Sequence, residues 1–236
     1  MTTSGKTLRS DGAETRTRLK EEAQRLFALR GLDGVSVQDI INAAGQRNSA
    51  SLRYYFGNKL ELARELVVDG ARLIDEDRQA RLDTLEAEDG ITVRTVLGAL
   101  TFPMLELAER TGQATYIRMI ANLQLNNRAF LREALENKWN AGYQRCNAHL
   151  RDLLPQIPAA IVDHRLSLVG IYGNAALAAW EASRDDDAPG RLWSHQYALS
   201  SLIDTFESML TAPPSEETRA LLGEQDAKRN KRKTSR

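Results

Sequence analysis

Between Gly45 and Gly57 the chain reads QRNSASLRYYF, and Lys59 follows two residues on. These side chains share one chemistry, hydrogen bonding to base edges and to anionic oxygens. Arg47 can bond guanine through two parallel donors, Asn48 can meet adenine in the same two-point way, and Ser49 and Ser51 can reach a base edge or a phosphate. Arg53, Tyr54, Tyr55 and Lys59 supply charge and hydroxyls suited to phosphate oxygens. Lys59 falls in the first turn of a helix, where a cation opposes the dipole, so a nearby anion is the expected reason for it. Adjacent helical residues point about 100° apart, so at most one of Tyr54 and Tyr55 faces solvent fully.

Positioning such a segment takes helices. Leu19, Ala23, Leu26 and Phe27 form one apolar stripe of a helix over roughly 14–30, with Gly31 as its terminating residue. Ser36 stands where a helix cap belongs, with Asp39 three residues on in a capping-box arrangement. That second helix ends at Gly45, and a third covers about 48–55. Asn58 caps a long fourth helix that runs to about residue 84. Beyond it, Asp89-Gly90, Thr111-Gly112, Pro155 with Pro158, and the stretch 185–190 punctuate further helices, and Pro103 predicts a kink or short break. No stretch alternates with period two, so the fold class is all-α. Three short helices with a glycine between the second and third match a helix-turn-helix, whose last helix enters a major groove. Residues 213–236 open with Pro213-Pro214, end in a basic run and are expected to lack structure.

The formal charge of the 236 residues is zero, but it is unevenly placed. Residues 1–60 hold ten cations and six anions, the last nine residues hold six cations and no anion, and the stretch between is net −10. A basic head and tail on an acidic body suit a polyanion partner. The only cysteine, Cys146, cannot form an internal disulfide, which fits a reducing cytoplasm. The longest charge-free apolar-leaning stretch, 166–180, is too short and polar to span a membrane, and the first residues lack the apolar core of a secretory signal. His149, His164 and His195 have no metal-ligand spacing, and no GxSxG, phosphate-binding loop or GxGxxG on a strand occurs. No enzyme, cofactor or metal is expected. Asp185, Asp186 and Asp187 read as a solvated loop.

At ALRGLDGVSVQDIINAAG, followed by a short helix ending YYFGNK and a long connecting helix, residues 14–62 resemble the TetR-type bacterial transcriptional regulators. Two details depart from the usual pattern: the stretch from Gly45 to Phe56 is one residue longer, and Arg53 stands where many relatives have tyrosine. The resemblance implies a helix-turn-helix DNA-binding domain over 12–57 and a helical ligand-binding and dimerisation domain over 58–212. It also implies a repressor released from its operator by a small apolar effector. Carried over by residue, Ser36 and Gln38 touch the DNA backbone, Arg47, Asn48, Ser49 and Ser51 approach bases, and Tyr54, Tyr55 and Lys59 hold phosphates.

In the body only composition speaks. Phe102, Leu105, Tyr116, Met119, Leu123, Trp139, Tyr143 and Cys146 are large, apolar or polarizable and helically spaced. They are core filling first and an adaptable effector lining second. Gln113, Asn122, Gln124 and His149 could orient a bound molecule. Ser167, Gly170, Asn174 and Ala178 form a stripe of small residues that either packs within the chain or admits a second copy. The resemblance favours a two-fold homodimer there, presenting two heads to a pseudopalindromic duplex about 34–36 Å apart. The competing readings are a helical adaptor with a degenerate head and a helical enzyme.

Overall fold

Gly31 and Gly57 hold φ of 73° and 77°, where a side chain would strain the backbone, and the chain turns at both. A β-carbon on Gly31 would stand 2.9 Å from Asn122 Oδ1, so the turn is also a close approach. The computed structural model describes residues 4–111, 115–135, 139–185 and 192–234. Among the described residues there is no strand, and the helices run in one order. The head consists of α1 (Ser4–Arg30), α2 (Val37–Ala43) and α3 (Ala50–Phe56). The lever α4 (Lys59–Ala87) leads into α5 (Val93–Thr111), α6 (Tyr116–Asn126), α7 (Arg128–Leu135) and α8 (Ala141–Asp152). Next come α9 (Ala159–Ala182), α10 (Ala198–Thr211) and α11 (Glu216–Thr234).

The seven-residue α2 and α3 are too short to persist alone, so caps and packing hold them. Ser36 Oγ accepts from the Asp39 amide at 3.1 Å, and the Asp39 carboxylate accepts from the Ser36 amide at 2.8 Å, completing the expected box. The Ser36 bonds hold the Asp39 carboxyl below its usual range. Leu19, Ala23, Leu26 and Phe27 of α1 are buried with Ile40 and Ile41 of α2 and Leu52 and Phe56 of α3. Asn58 caps α4 by accepting from the Glu61 amide at 3.0 Å.

Helices α6 and α8 start differently. Neither Thr115 before α6 nor Asn140 before α8 makes a side-chain cap. Instead the fully buried Glu181 of α9 accepts from the amides of Ile117 (3.1 Å) and Arg118 (2.9 Å). Asp75, buried on α4, accepts from the Gly142 amide in the first turn of α8 at 2.7 Å. Each carboxylate satisfies donors that a helix start leaves open, and each meets the positive end of the dipole. Burial raises the Glu181 carboxyl above its ordinary value, outweighing the bonds from Arg118 and Ile117 that favour its charge. Arg118 also pairs with Asp185 at 2.6 Å.

Two expectations change, and at Pro103 the short break is absent. Helix α5 runs unbroken through Pro103, with Arg78 donating to the Leu100 carbonyl at 3.1 and 2.9 Å in the turn that the proline disturbs. Helix α1 starts ten residues before the expected position, at Ser4. The tail, read as unstructured, carries α11: Ser215 Oγ accepts from the Thr218 amide at 3.2 Å, Glu216 and Glu217 occupy the first turn, and the cations gather toward the other end. That charge order complements the helix dipole, which the basic composition alone conceals. No helix among the described residues is long and apolar enough to cross a membrane.

Candidate nucleic-acid interface

Leu52 and Phe56 anchor α3 in the head core, so the remaining sides of this single helix look outward. Arg47 and Asn48 before it, Ser49 at its start, and Arg53 and Tyr54 along it are all exposed, Tyr54 to 82%. Ser51 is half-buried and donates from Oγ to the Asn48 carbonyl at 2.8 Å. Asn48 Oδ1 accepts from the Ala50 amide at 2.8 Å, so its carboxamide already starts α3. Reading adenine at two points needs that oxygen as well as Nδ2; in this geometry Asn48 offers its donor alone. Arg47 and Arg53 keep their guanidinium groups at the surface.

The tyrosine pair divides as the helix geometry requires. Tyr55 is half-buried against the core, its ring edge-on to Tyr54 at 5.0 Å, and a β-carbon on Gly12 of α1 would stand 3.2 Å from its hydroxyl. Its first role is therefore to seat α3 on α1. Ser36 and Gln38 are exposed at the start of α2, although the Ser36 hydroxyl serves the capping box and Gln38 donates to Asn42 at 2.7 Å.

Lys59 departs furthest from its expected role. Its Nζ donates to the carbonyls of Leu32 (2.9 Å) and Val35 (2.7 Å) in the turn between α1 and α2. These carbonyls satisfy the cation that sequence reading assigned to a phosphate, and Lys59 clasps α4 to that turn. One of its three donors remains beyond these two bonds. Further along the joint, Glu65 pairs with Arg16 and with Lys20 (2.8 Å), and Lys20 also pairs with Asp69. Burial would raise the Glu65 carboxyl, but Lys20 and Arg16 together bring it below its ordinary range. Sequence reading missed this cluster because its members lie 45 and 49 residues apart.

A second seam joins the head to the body through α6. Gln24 of α1 donates to Thr115 Oγ1 at 2.9 Å, and Asn127 donates to Asp33 at 2.9 Å. Among the candidate effector residues, Leu105, Tyr116, Met119, Leu123 and Cys146 are buried, and Phe102, Trp139 and Tyr143 are half-buried. The Tyr116 hydroxyl donates to the Val67 carbonyl at 2.9 Å, and the Arg78 guanidinium lies 5.9 Å from the Tyr143 ring. Burial lowers the Arg78 pKa and pushes the Cys146 thiol up to about 11. His149 bonds Glu86 at 2.7 Å, between α8 and α4. Gln113, Asp186 and Asp187 lie outside the described residues.

The small-residue stripe is half-buried at Gly170, Asn174 and Ala178. Asn174 donates to Gln124 of α6 at 2.8 Å, a β-carbon on Gly170 would meet Tyr143 Oη at 3.6 Å, and Ala178 packs on the core. Ser167 stays at the surface, donating to the Asp163 carbonyl within its own helix. The outward apolar face belongs instead to Leu168 (42% exposed), Ile171 (44%) and Tyr172 (43%), continued by Ala175 and by Thr205 and Met209 of α10. Their spacing along α9, i, i+3, i+4 and i+7, was the signal that could have found it.

Residues 20–66 match the family described as bacterial regulatory proteins, tetR family. No curated protein matches the chain. Among solved structures, a proposed tetR family transcription regulator from Shewanella sp. PV-4 superposes with a TM-score of 0.53 at 16% identity, over 81% of this chain and 95% of that one. At this identity the likeness speaks for the fold. PfmR from Thermus thermophilus, a TetR family transcriptional regulator, aligns with a TM-score of 0.48 at 18% identity, over 84% of this chain and all of that one.

Proposed function

We propose that the chain, whose residues 20–66 match the family described as bacterial regulatory proteins, tetR family, is a dimeric repressor released from its operator by a small apolar molecule. It is a transcription regulator without enzymatic activity, acting in the cytoplasm. The observation that carries the DNA-binding part is the exposed cluster of Arg47 and Ser49 leading into α3 and Arg53 and Tyr54 along it, a helix whose other side is anchored by Leu52 and Phe56. Arg47 and Arg53 read base edges, while Tyr54, Ser36, Gln38 and the remaining donor of Lys59 hold the backbone. Residues 12–57 act as the head and 58–212 as the body.

Two copies meet through the outward face of α9 and α10, where Leu168, Ile171 and Tyr172 would lose their exposure to water. The resulting two-fold axis sets two α3 helices about one duplex turn apart, roughly 34–36 Å. The effector enters among Phe102, Tyr116, Tyr143 and their neighbours and favours an arrangement of α4 and α6 that separates the heads from that spacing. Only unequal affinity for the two arrangements can drive the release. Both helices touch the head, α4 through Lys59 and the Glu65 cluster and α6 through Thr115 and Asn127.

A gel shift on the DNA flanking the gene, repeated across salt concentrations, tests the reading. A discrete complex that weakens steeply with salt supports it, because bound cations release counterions from the duplex. Equal binding to that DNA and to unrelated DNA of the same length would overturn the regulator.

A further inference from the structure

Arg78 of α4 stands where α4, α5 and α8 meet. Its Nε and Nη2 donate together to the Leu100 carbonyl of α5 at 3.1 and 2.9 Å, and its guanidinium lies 5.9 Å from the Tyr143 ring of α8. A β-carbon on Gly142 would come within 2.9 Å of the Arg78 Cβ, so the start of α8 packs on the root of the side chain. The Leu100 carbonyl takes one edge of the guanidinium. The other edge, Nη1 and the second hydrogen of Nη2, makes no hydrogen bond among the described residues, and no carboxylate there stands within ion-pairing distance. The acids beside Arg78 on α4 are engaged elsewhere: Asp75 by the Gly142 amide (2.7 Å) and Gln79 (2.9 Å), Glu76 by Arg72, and Asp77 by Arg81. We infer that Arg78 receives the carboxylate of an effector that is an apolar acid, its open edge bonding both oxygens of that group. The inference rests on the reading of the body as an effector site.

The class of ligand follows from what the site holds and what it leaves open. A charge inside protein is costly unless hydrogen bonds and an opposite charge meet it. The Leu100 carbonyl offers only a dipole, and holding it takes a single donor. A guanidinium brings more than that task needs, a charge and a second parallel pair of N–H groups, the fork that matches a carboxylate. Burial is the largest influence on the Arg78 pKa and lowers it, yet Arg78, Leu100, Phe102 and Tyr143 are each only half-buried. Residues that are both deep and incompletely covered line a recess in the fold, and this one has apolar surface for the remainder of an acid. Asp75 acts on Arg78 from the same core, and its charge disfavours a second negative charge. A monocarboxylate therefore suits the site better than a phosphate ester.

Calorimetric titration of the full chain, without DNA, compares decanoate with 1-decanol and 2-naphthoate with 2-naphthalenemethanol. At least one acid should bind about tenfold or more tightly than its alcohol. Arg78→Gln, which keeps a donor for the Leu100 carbonyl, should bring that acid and its alcohol to equal affinity. Arg78→Lys keeps the charge without the parallel pair and should fall between the two. Equal binding of acids and alcohols by the unchanged chain would overturn the inference, and so would no binding of any of the four. An acid preference that survives in Arg78→Gln would place the acid elsewhere and overturn it too. Should Arg78→Gln not fold, Arg78→Lys decides, an undiminished preference counting against the inference. Decyl phosphate bound more tightly than decanoate would overturn the carboxylate. A gel shift read separately keeps the two readings apart: acid bound through Arg78 without any change in the DNA complex supports this site and removes only the release mechanism.

Discussion

The helices at the joint of head and body, α2 and α4, start in the opposite way from α6 and α8 deeper in the body. At the joint, Ser36 and Asn58 reach amides three residues ahead, so each cap is a local event. For α6 and α8, Asp75 and Glu181 reach amides 67 and 63–64 residues away and are buried in doing so. The lesson concerns coupling. A local cap fails alone, whereas a buried carboxylate that caps another helix ties the two together. Glu181 sits on α9, the helix with the outward apolar face, and caps α6, the helix that touches α1.

Breaking that contrast should give its largest effect at Glu181. Glu181→Ala leaves two amides and Arg118 without their buried acceptor, and chemical unfolding should show a loss of about 3–5 kcal/mol. Asp75→Ala removes one acceptor from the first turn of α8 and should cost about 1–3 kcal/mol by the same measurement. At the interface, Arg47→Ala should cost about 1–3 kcal/mol at one base position and relax the preference there, as read by competition between operator variants. Lys59→Ala should weaken all duplexes alike, because it frees the turn between α1 and α2 as well as removing a charge. Ser36→Ala, a local and exposed cap, should cost about 1 kcal/mol, with the loss confined to the head.

The smallest effect is one of pH, and its signs oppose each other. Glu65 is held below its ordinary value, so its stabilisation is complete above that value and disappears as pH falls through the lowered one. Glu181 is raised, so its contribution is greatest below the ordinary value and declines as pH rises through the raised one. Unfolding of Glu65→Gln and Glu181→Gln beside the unchanged chain, from neutral pH into acid, should show the first gap closing and the second moving in favour of the unchanged chain. Parallel shifts would mean that head joint and body cap do not differ electrostatically.

Where the cause of a feature lay within a few residues, sequence reading reached it. The capping box at Ser36, the cap at Asn58, the glycines that bound the head and the division of Tyr54 from Tyr55 are all short-range consequences of spacing. Lys59 was legible as a cation out of place, but not its partners, because the Leu32 and Val35 carbonyls reach it only once α1, α2 and α4 have packed. The stripe at Gly170 and Asn174 stayed ambiguous for a related reason: small residues mark a close approach without saying which helix approaches. The tail misled because composition was weighed without the order of its charges.

Helix periodicity and capping depend on neighbours a turn away, and from these alone the chain determined that it is all-helical, begins with a three-helix head and turns a polar helix outward. Packing decided the rest: that buried carboxylates start α6 and α8, that Lys59 clasps a turn, and that the apolar face of α9 looks away from the core. Each of these rests on bringing groups tens of residues apart within hydrogen-bonding or van der Waals reach, and only the folded chain sets such distances.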